Sequence, residues 1–191
     1  HGRGLRGHRG GRSLGGEPRV TPEGWVYERS SDESARFVLG TVGDNPLVCF
    51  GINPSTAKPG ALDPTVKRVS RFARDNGFDS WTMLNVYPQI ATDPKLMDRE
   101  HRHELKLANE SHVAGILRAG GLTVLAAWGG LITSRPYLRP LLRDIIALST
   151  GTGCAWVSLG SLTKDGHPRH PLYVRSDAGL VPFDVVQYAG D

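Results

Sequence analysis

The chain lacks any apolar run approaching the roughly 18 residues that a membrane span needs, so no membrane association is expected. Its first 20 residues lack the apolar stretch of a secretory leader, which makes the cytoplasm the expected compartment. Cysteine is scarce. Only Cys49 and Cys154 occur in 191 residues, far apart and each in an apolar run. That spacing implies neither a metal site nor a disulfide framework, and both are expected to pack as small hydrophobes in a reducing environment. No Gly-x-Gly-x-x-Gly follows a strand and there is no Walker loop, which removes the usual cradles for dinucleotides and nucleoside triphosphates. No cofactor is therefore expected. No Gly-x-Ser-x-Gly follows an apolar strand-like run, the one such string lying in the Gly/Arg-rich residues 11–15, and a pair of carboxylates suited to glycosidase acid and nucleophile roles is missing too.

Acidic residues are nearly absent from one segment. Residues 1–19 hold Arg3, Arg6, Arg9, Arg12 and Arg19 against Glu17 alone, which leaves 18 basic and 18 acidic residues in the remainder. The whole net charge of +4 thus belongs to this segment, and the pI of 9.3 says nothing about a nucleic-acid surface on the folded domain. Residues 1–20 are rich in Gly and Arg, have no apolar periodicity, and read as a disordered tail. Arginine at every third position suits loose contact with phosphates; a solvated tail is the alternative. Residues 21–191 read as one domain, in a chain of ordinary 39% hydrophobic content overall, with a monomeric state as the expectation.

From there the pattern alternates. Trp25–Glu28 and Arg36–Leu39 flank a turn-rich stretch and suggest a hairpin or edge strands. Leu47–Ile52, Trp81–Tyr87, Leu122–Trp128 and Cys154–Leu159 are short, uniformly apolar runs expected as buried strands. Between them, Asp63-Pro64 reads as a helix cap and first residue, with Val66, Val69, Phe72 and Ala73 on the apolar face and Gly77 as the stop. Lys67, Arg71 and Arg74 share another face, solvated or turned to phosphates. Further helices are expected over Glu104–Arg118 and Pro136–Leu148, with Pro140 confined to a first turn. A short strand is expected at Leu172–Arg175. Apolar strands alternating with helices predict an α/β fold, a three-layer α/β/α sandwich around a four-stranded, mainly parallel sheet.

Ligands of open parallel sheets bind beyond the carboxyl ends of the strands. That rule selects Asn53, Ser55 and Thr56 after the first strand, Asn85 and Tyr87 after the second, Trp128 after the third, and His167 and His170 after the fourth. Asn amides bond both edges of an amide or nucleobase. Tyr87 or Trp128 offers a stacking ring, and a neutral His donates to a developing oxyanion. Each residue also has a plain structural reading: Asn53 as a turn residue before Pro54, Asn85 as a loop cap, Tyr87 and Trp128 as core, His167 and His170 as loop residues. Asp63 reads first as a helix cap and second as a substrate contact. Ser55 with His170 is a further candidate pair for nucleophilic chemistry.

Gly51-Ile52-Asn53-Pro54-Ser55-Thr56-Ala57, with Asp63-Pro64-Thr65, Ala91-Thr92-Asp93-Pro94, Ala126-Ala127-Trp128-Gly129 and His170-Pro171-Leu172-Tyr173, resembles a bacterial and phage family known as a domain of unknown function, over about residues 36 to 182. More distantly, the order of motifs resembles the uracil-DNA glycosylase superfamily, specifically its mismatch-specific thymine/uracil branch. Gly51-Ile52-Asn53-Pro54 looks like that branch's first motif, which implies that Asn53 positions a water. Asn85 stands where an Asn reads the base edge. His170-Pro171 looks like the last motif, whose His bonds the base oxygen, and His167-Pro168 offers a second such pair. Ser55 stands where the branch has Gly, and Leu172 where a small residue is usual. The resemblance implies a glycosylase-like fold with a four-stranded parallel sheet, and a DNA or nucleotide partner.

The expected function is therefore action on the N-glycosidic bond of a base in DNA or a nucleotide, with Asn53 and His170 catalytic. Asn85, Tyr87, Ser55, Thr56, Trp128, His167 and Asp63 would contact substrate. The alternatives are a non-catalytic nucleobase or nucleic-acid binding module, and an unrelated small-molecule hydrolase or transferase. If the Arg-rich tail holds phosphates, deleting residues 1–20 flattens the salt dependence of oligonucleotide binding, read as the slope of log K against log salt. An unchanged slope removes the tail from recognition.

Overall fold

The computed structural model describes residues 18–190. The Arg-rich segment lies, through residue 17, outside the described residues, so its expected disorder and phosphate contacts are not addressed by the structure. Paired chain begins slightly before residue 21. Val20 bridges Val26, and Tyr27 N–H donates to the Arg19 carbonyl at 3.3 Å.

Seven strands form one mixed sheet, where the sequence suggested four plus a hairpin. They are β1 (Trp25–Arg29), β2 (Arg36–Thr41), β3 (Pro46–Gly51), β4 (Ser80–Asn85), β5 (Thr123–Ala126), β6 (Ala155–Leu159) and β7 (Leu180–Pro182), in spatial order β1-β2-β4-β3-β5-β6-β7. The central four, β4-β3-β5-β6, are mutually parallel. The β1–β2 hairpin joins β4 antiparallel, and β7 closes the far edge antiparallel to β6. The hairpin thus extends the sheet instead of standing apart from it. β7 is three residues long and carries little periodic signal for a sequence to display.

The parallel strands read as unbroken apolar runs because helices cover both faces. Alternate side chains of β3 point to opposite faces. Leu47 and Cys49 pack with Val66, Val69, Phe72 and Ala73 of α1 (Pro64–Asp75). Val48 and Phe50 pack with α2 (His103–Leu117), α3 (Leu138–Ser149) and α4 (Val185–Gly190) on the other side. Three layers result. Asp63 caps α1, its carboxylate accepting from Val66 N–H at 2.8 Å, with Pro64 at the first position. Gly77 closes the helix at φ +84°, a conformation that costs glycine least. Pro140 falls in the first turn of α3, where its missing N–H is harmless. Lys67, Arg71 and Arg74 are exposed, and the two arginines pair with Asp75 at 3.5 Å.

The strand expected at Leu172–Arg175 is instead a 3₁₀ turn at Pro171–Tyr173. Pro171 has no N–H to give a ladder, and the His170 imidazole takes the next one, that of Leu172, at 3.2 Å. Helix α4 was not anticipated, since its six residues are too few to establish a helical period.

Leu125, fully buried on β5 against the α1 layer, sits at the centre of this packing. Leu125→Ala is expected to lower stability by about 2–5 kcal/mol. In urea unfolding this reads as a lower midpoint with an unchanged slope.

Candidate functional site

The strand order creates a crevice. β3 connects through α1 to β4 on one side of it, whereas β5, its other neighbour, connects through α3 to β6 on the far side. Loops leaving β3 and β5 in opposite directions open a gap at their carboxyl ends. Backbone hydrogen bonds hold the gap's walls together. Val86 N–H donates to Gly51 O at 2.9 Å, Tyr87 N–H to Ile52 O at 2.9 Å and Ala91 N–H to Pro54 O at 3.0 Å. On the other side Ala127 N–H reaches Phe50 O at 3.0 Å, and Gly129 N–H reaches Pro168 O at 2.9 Å. The result is a pocket of about 340 Å³, within the usual range for small-ligand sites.

Asn53, Ser55, Thr56, Asp63, Asn85 and His170 all line this pocket. The amide of Asn53 is pinned: Nδ2 donates to the carbonyls of Pro54 and Ala91, both at 3.0 Å, and more weakly to Gln89 at 3.4 Å. Three converging carbonyls can only face the nitrogen, which leaves Oδ1 as the free acceptor. Asn85 is 2% exposed. Its backbone carbonyl accepts from Asn109 Nδ2 at 2.9 Å, yet its own Nδ2 is buried without a partner. A Cβ on Gly51 would stand 3.1 Å from Asn85 Oδ1, so the glycine makes the room this amide occupies.

His170 carries its proton on a defined nitrogen. Nδ1 accepts from Leu172 N–H, so the neutral ring bears its hydrogen on Nε2. Burial holds the imidazole below its ordinary pKa, with Asp63 pulling weakly the other way. Gly129, at φ +60°, lets the chain pass His170; a Cβ there would lie 3.3 Å from the His170 Cβ. Asp63 keeps one carboxylate oxygen on the α1 cap.

Three expected site residues lie elsewhere. Tyr87 is fully buried, its ring against Tyr137 and its hydroxyl accepting from Arg102 N–H at 2.9 Å. It presents no face to the pocket on which a base can stack. Trp128 is also fully buried. It borders a separate recess of about 100 Å³ beside His170 and Tyr173. Its Nε1–H donates to the Tyr188 hydroxyl at 3.1 Å, and that same hydroxyl lies 2.8 Å from His167 Nδ1. Indole only donates, so Tyr188 is left to give its proton to His167. That relay ties α4 to the sheet and takes His167 out of the pocket. Of the two His-Pro pairs, only His170-Pro171 reaches it.

Two pocket residues went unnoticed in the sequence. Tyr173 is 76% exposed at the mouth, 5.5 Å from the His170 ring; in the sequence it ends the His170-Pro171-Leu172-Tyr173 stretch and carries no distinguishing pattern. Arg36 is 2% exposed. It opens β2, and only the antiparallel pairing of β2 with β4 carries the start of that strand to the carboxyl edge of the parallel ones. Among the described residues no three His, Cys, Asp or Glu side chains cluster as metal ligands would.

The site therefore defines an α/β protein with a donor-rich pocket at the switch point of its sheet. Residues 36–172 match the family described as Protein of unknown function (DUF1643), and the chain belongs to that family. No curated protein and no solved structure matches it. The matched span opens on Arg36 and closes on Leu172, and so contains every pocket residue named above except Tyr173.

Burial lowers the pKa of His170, and likewise of His112 and His167. The unfolded chain then takes up protons near pH 6.5 that the folded chain refuses. Stability is full above that pH and declines as pH falls through the depressed folded values. Unfolding free energy is expected to drop between about pH 7.5 and about pH 5.5. The drop should be shallower in His170→Asn; equal slopes would mean that His170 titrates as in the unfolded chain.

Proposed function

We propose that this protein binds a nucleobase in the switch-point pocket and acts on its N-glycosidic bond. The observation that carries the reading is Asn85, a residue of the pocket wall whose amide nitrogen is buried and unpartnered. An unsatisfied buried donor costs about 1–3 kcal/mol, which a ligand oxygen would relieve. An Asn amide offers N–H and C=O side by side, the complement of a carbonyl next to a ring N–H as found in uracil, thymine or guanine.

The neighbouring groups fit the chemistry. Asn53 Oδ1, held in place by the clamp on its nitrogen, can accept from a water aimed at the sugar carbon. His170 Nε2–H can donate to the base oxygen as negative charge develops on the departing base. One such donor is worth about 3 kcal/mol of barrier. The exposed ring of Tyr173 takes the stacking role that was expected of Tyr87. A base within duplex DNA would first have to be flipped out, at a cost of a few kcal/mol. A specific observation favours the second reading, binding without catalysis: the Asn53 amide already serves as a loop brace. No hydrogen bond joins Ser55 to His170, whose Nδ1 is occupied by Leu172, so the nucleophile-pair reading has less support.

The test is base release, read in strands as alkali-revealed abasic sites and in free nucleotides as liberated base on chromatography. Oligonucleotides and nucleotides carrying uracil, thymine, guanine and mismatched bases would be incubated with the protein and with Asn85→Ala and His170→Ala. Cleavage reduced about 100-fold or more in each variant is expected. Asn85-dependent binding with no cleavage would leave a binding module, and base-independent behaviour in both assays would sink the reading.

A further inference from the structure

Arg36 is the charge in this pocket that the proposed chemistry does not use. Its side chain is 2% exposed. Only one of its donors is spent within the protein, Nη1 on the Ala57 carbonyl at 2.8 Å. Nε is buried without a partner. No ion pair neutralises it: Asp63 acts on it only through space, and holds the α1 cap with its own carboxylate. Burial pulls the guanidinium down to about 10, which still leaves it charged at neutral pH.

A buried cation facing a single neutral carbonyl is a poor structural device. Its desolvation is unfavourable, and an apolar side chain of similar length would pack there with less loss. What a guanidinium adds is a fork of donors matched to the paired oxygens of a phosphate or carboxylate. Arg36 lines the same pocket as Asn85, along with Cys49 and Met83, which belong to the sheet beneath the loops. Depth narrows the source of the anion. A phosphate within a DNA strand is tied to its neighbours on both sides and reaches a guanidinium 2% exposed less readily than the terminal phosphate of a free nucleotide does.

We propose that the pocket takes a free, anionic small molecule, a nucleoside monophosphate or a base bearing a carboxylate, whose acidic oxygens seat on Arg36. The inference rests on base recognition alone, not on bond cleavage, and chooses within it: the ligand is a free nucleotide or acidic base in preference to a base in polymeric DNA. Asn85 reads the base edge and Arg36 anchors the acidic group.

Calorimetric titration of the full chain decides this. The ligands are the common nucleosides, their 5′-monophosphates, uracil, uracil-6-carboxylate, inorganic phosphate and a uracil-containing single strand, each against wild type, Arg36→Met and Asn85→Ala. At least one anionic ligand is expected to bind about tenfold or more tighter than its neutral counterpart, and Arg36→Met to abolish that difference. A preference for monophosphates identifies the phosphate source, and one for uracil-6-carboxylate the acidic base. Equal binding of charged and neutral ligands overturns the proposal, as does a preference that survives in Arg36→Met, tightest binding by the single strand, or no binding at all. Should Arg36→Met not fold, the wild-type comparison of charged with neutral ligands decides by itself. Neutral nucleosides that bind in an Asn85-dependent way without gain from phosphate would sink the anion site and leave base recognition standing. Arg36-dependent phosphate binding without base preference would do the reverse.

Discussion

Three backbone carbonyls from two loops meet on one amide nitrogen, that of Asn53. The segments after β3 and β4 belong to different crossovers and have little regular structure of their own, so their backbone groups must find partners or face water. The Asn53 clamp and the Gly51–Val86 and Ile52–Tyr87 bonds satisfy those groups and lock the loops into one wall. The opposite wall depends on Gly129 letting the chain pass close to His170. The pocket exists because these two walls are held at the carboxyl ends of β3 and β5.

The electrostatics of this pocket are asymmetric. Its buried unpartnered atoms are donors, Asn85 Nδ2 and Arg36 Nε, and neutral His170 adds an N–H. The Asp63 carboxylate is partly occupied by its helix cap. Folded proteins rarely leave buried donors unmatched, because each forgoes its hydrogen bonds to water. A concentration of them in one cavity calls for a ligand rich in acceptor oxygens. That requirement is a statement about ligand chemistry and holds whether or not the bond to the sugar is then broken.

Much of this was legible from residues alone. The apolar runs marked the four parallel strands, Asp63-Pro64 marked the start of α1, and the strand-end rule gathered Asn53, Ser55, Thr56, Asn85 and His170. The same rule also gathered Tyr87, Trp128 and His167, which face away. Sequence position places a residue near the strand end. Which side of the wall its side chain takes depends on partners far along the chain, such as Tyr188 for Trp128 and His167.

Local chemistry was thus decided by the sequence itself: hydrophobic period, capping preference and the absence of cofactor cradles are properties of short windows. The sheet order was decided only in three dimensions. The pairing of β2 with β4 is a contact between segments some 40 residues apart, and its energy comes from burying both strands, which no window contains. That pairing carries Arg36 to the pocket floor and turns a set of polar loop residues into a site with a charge.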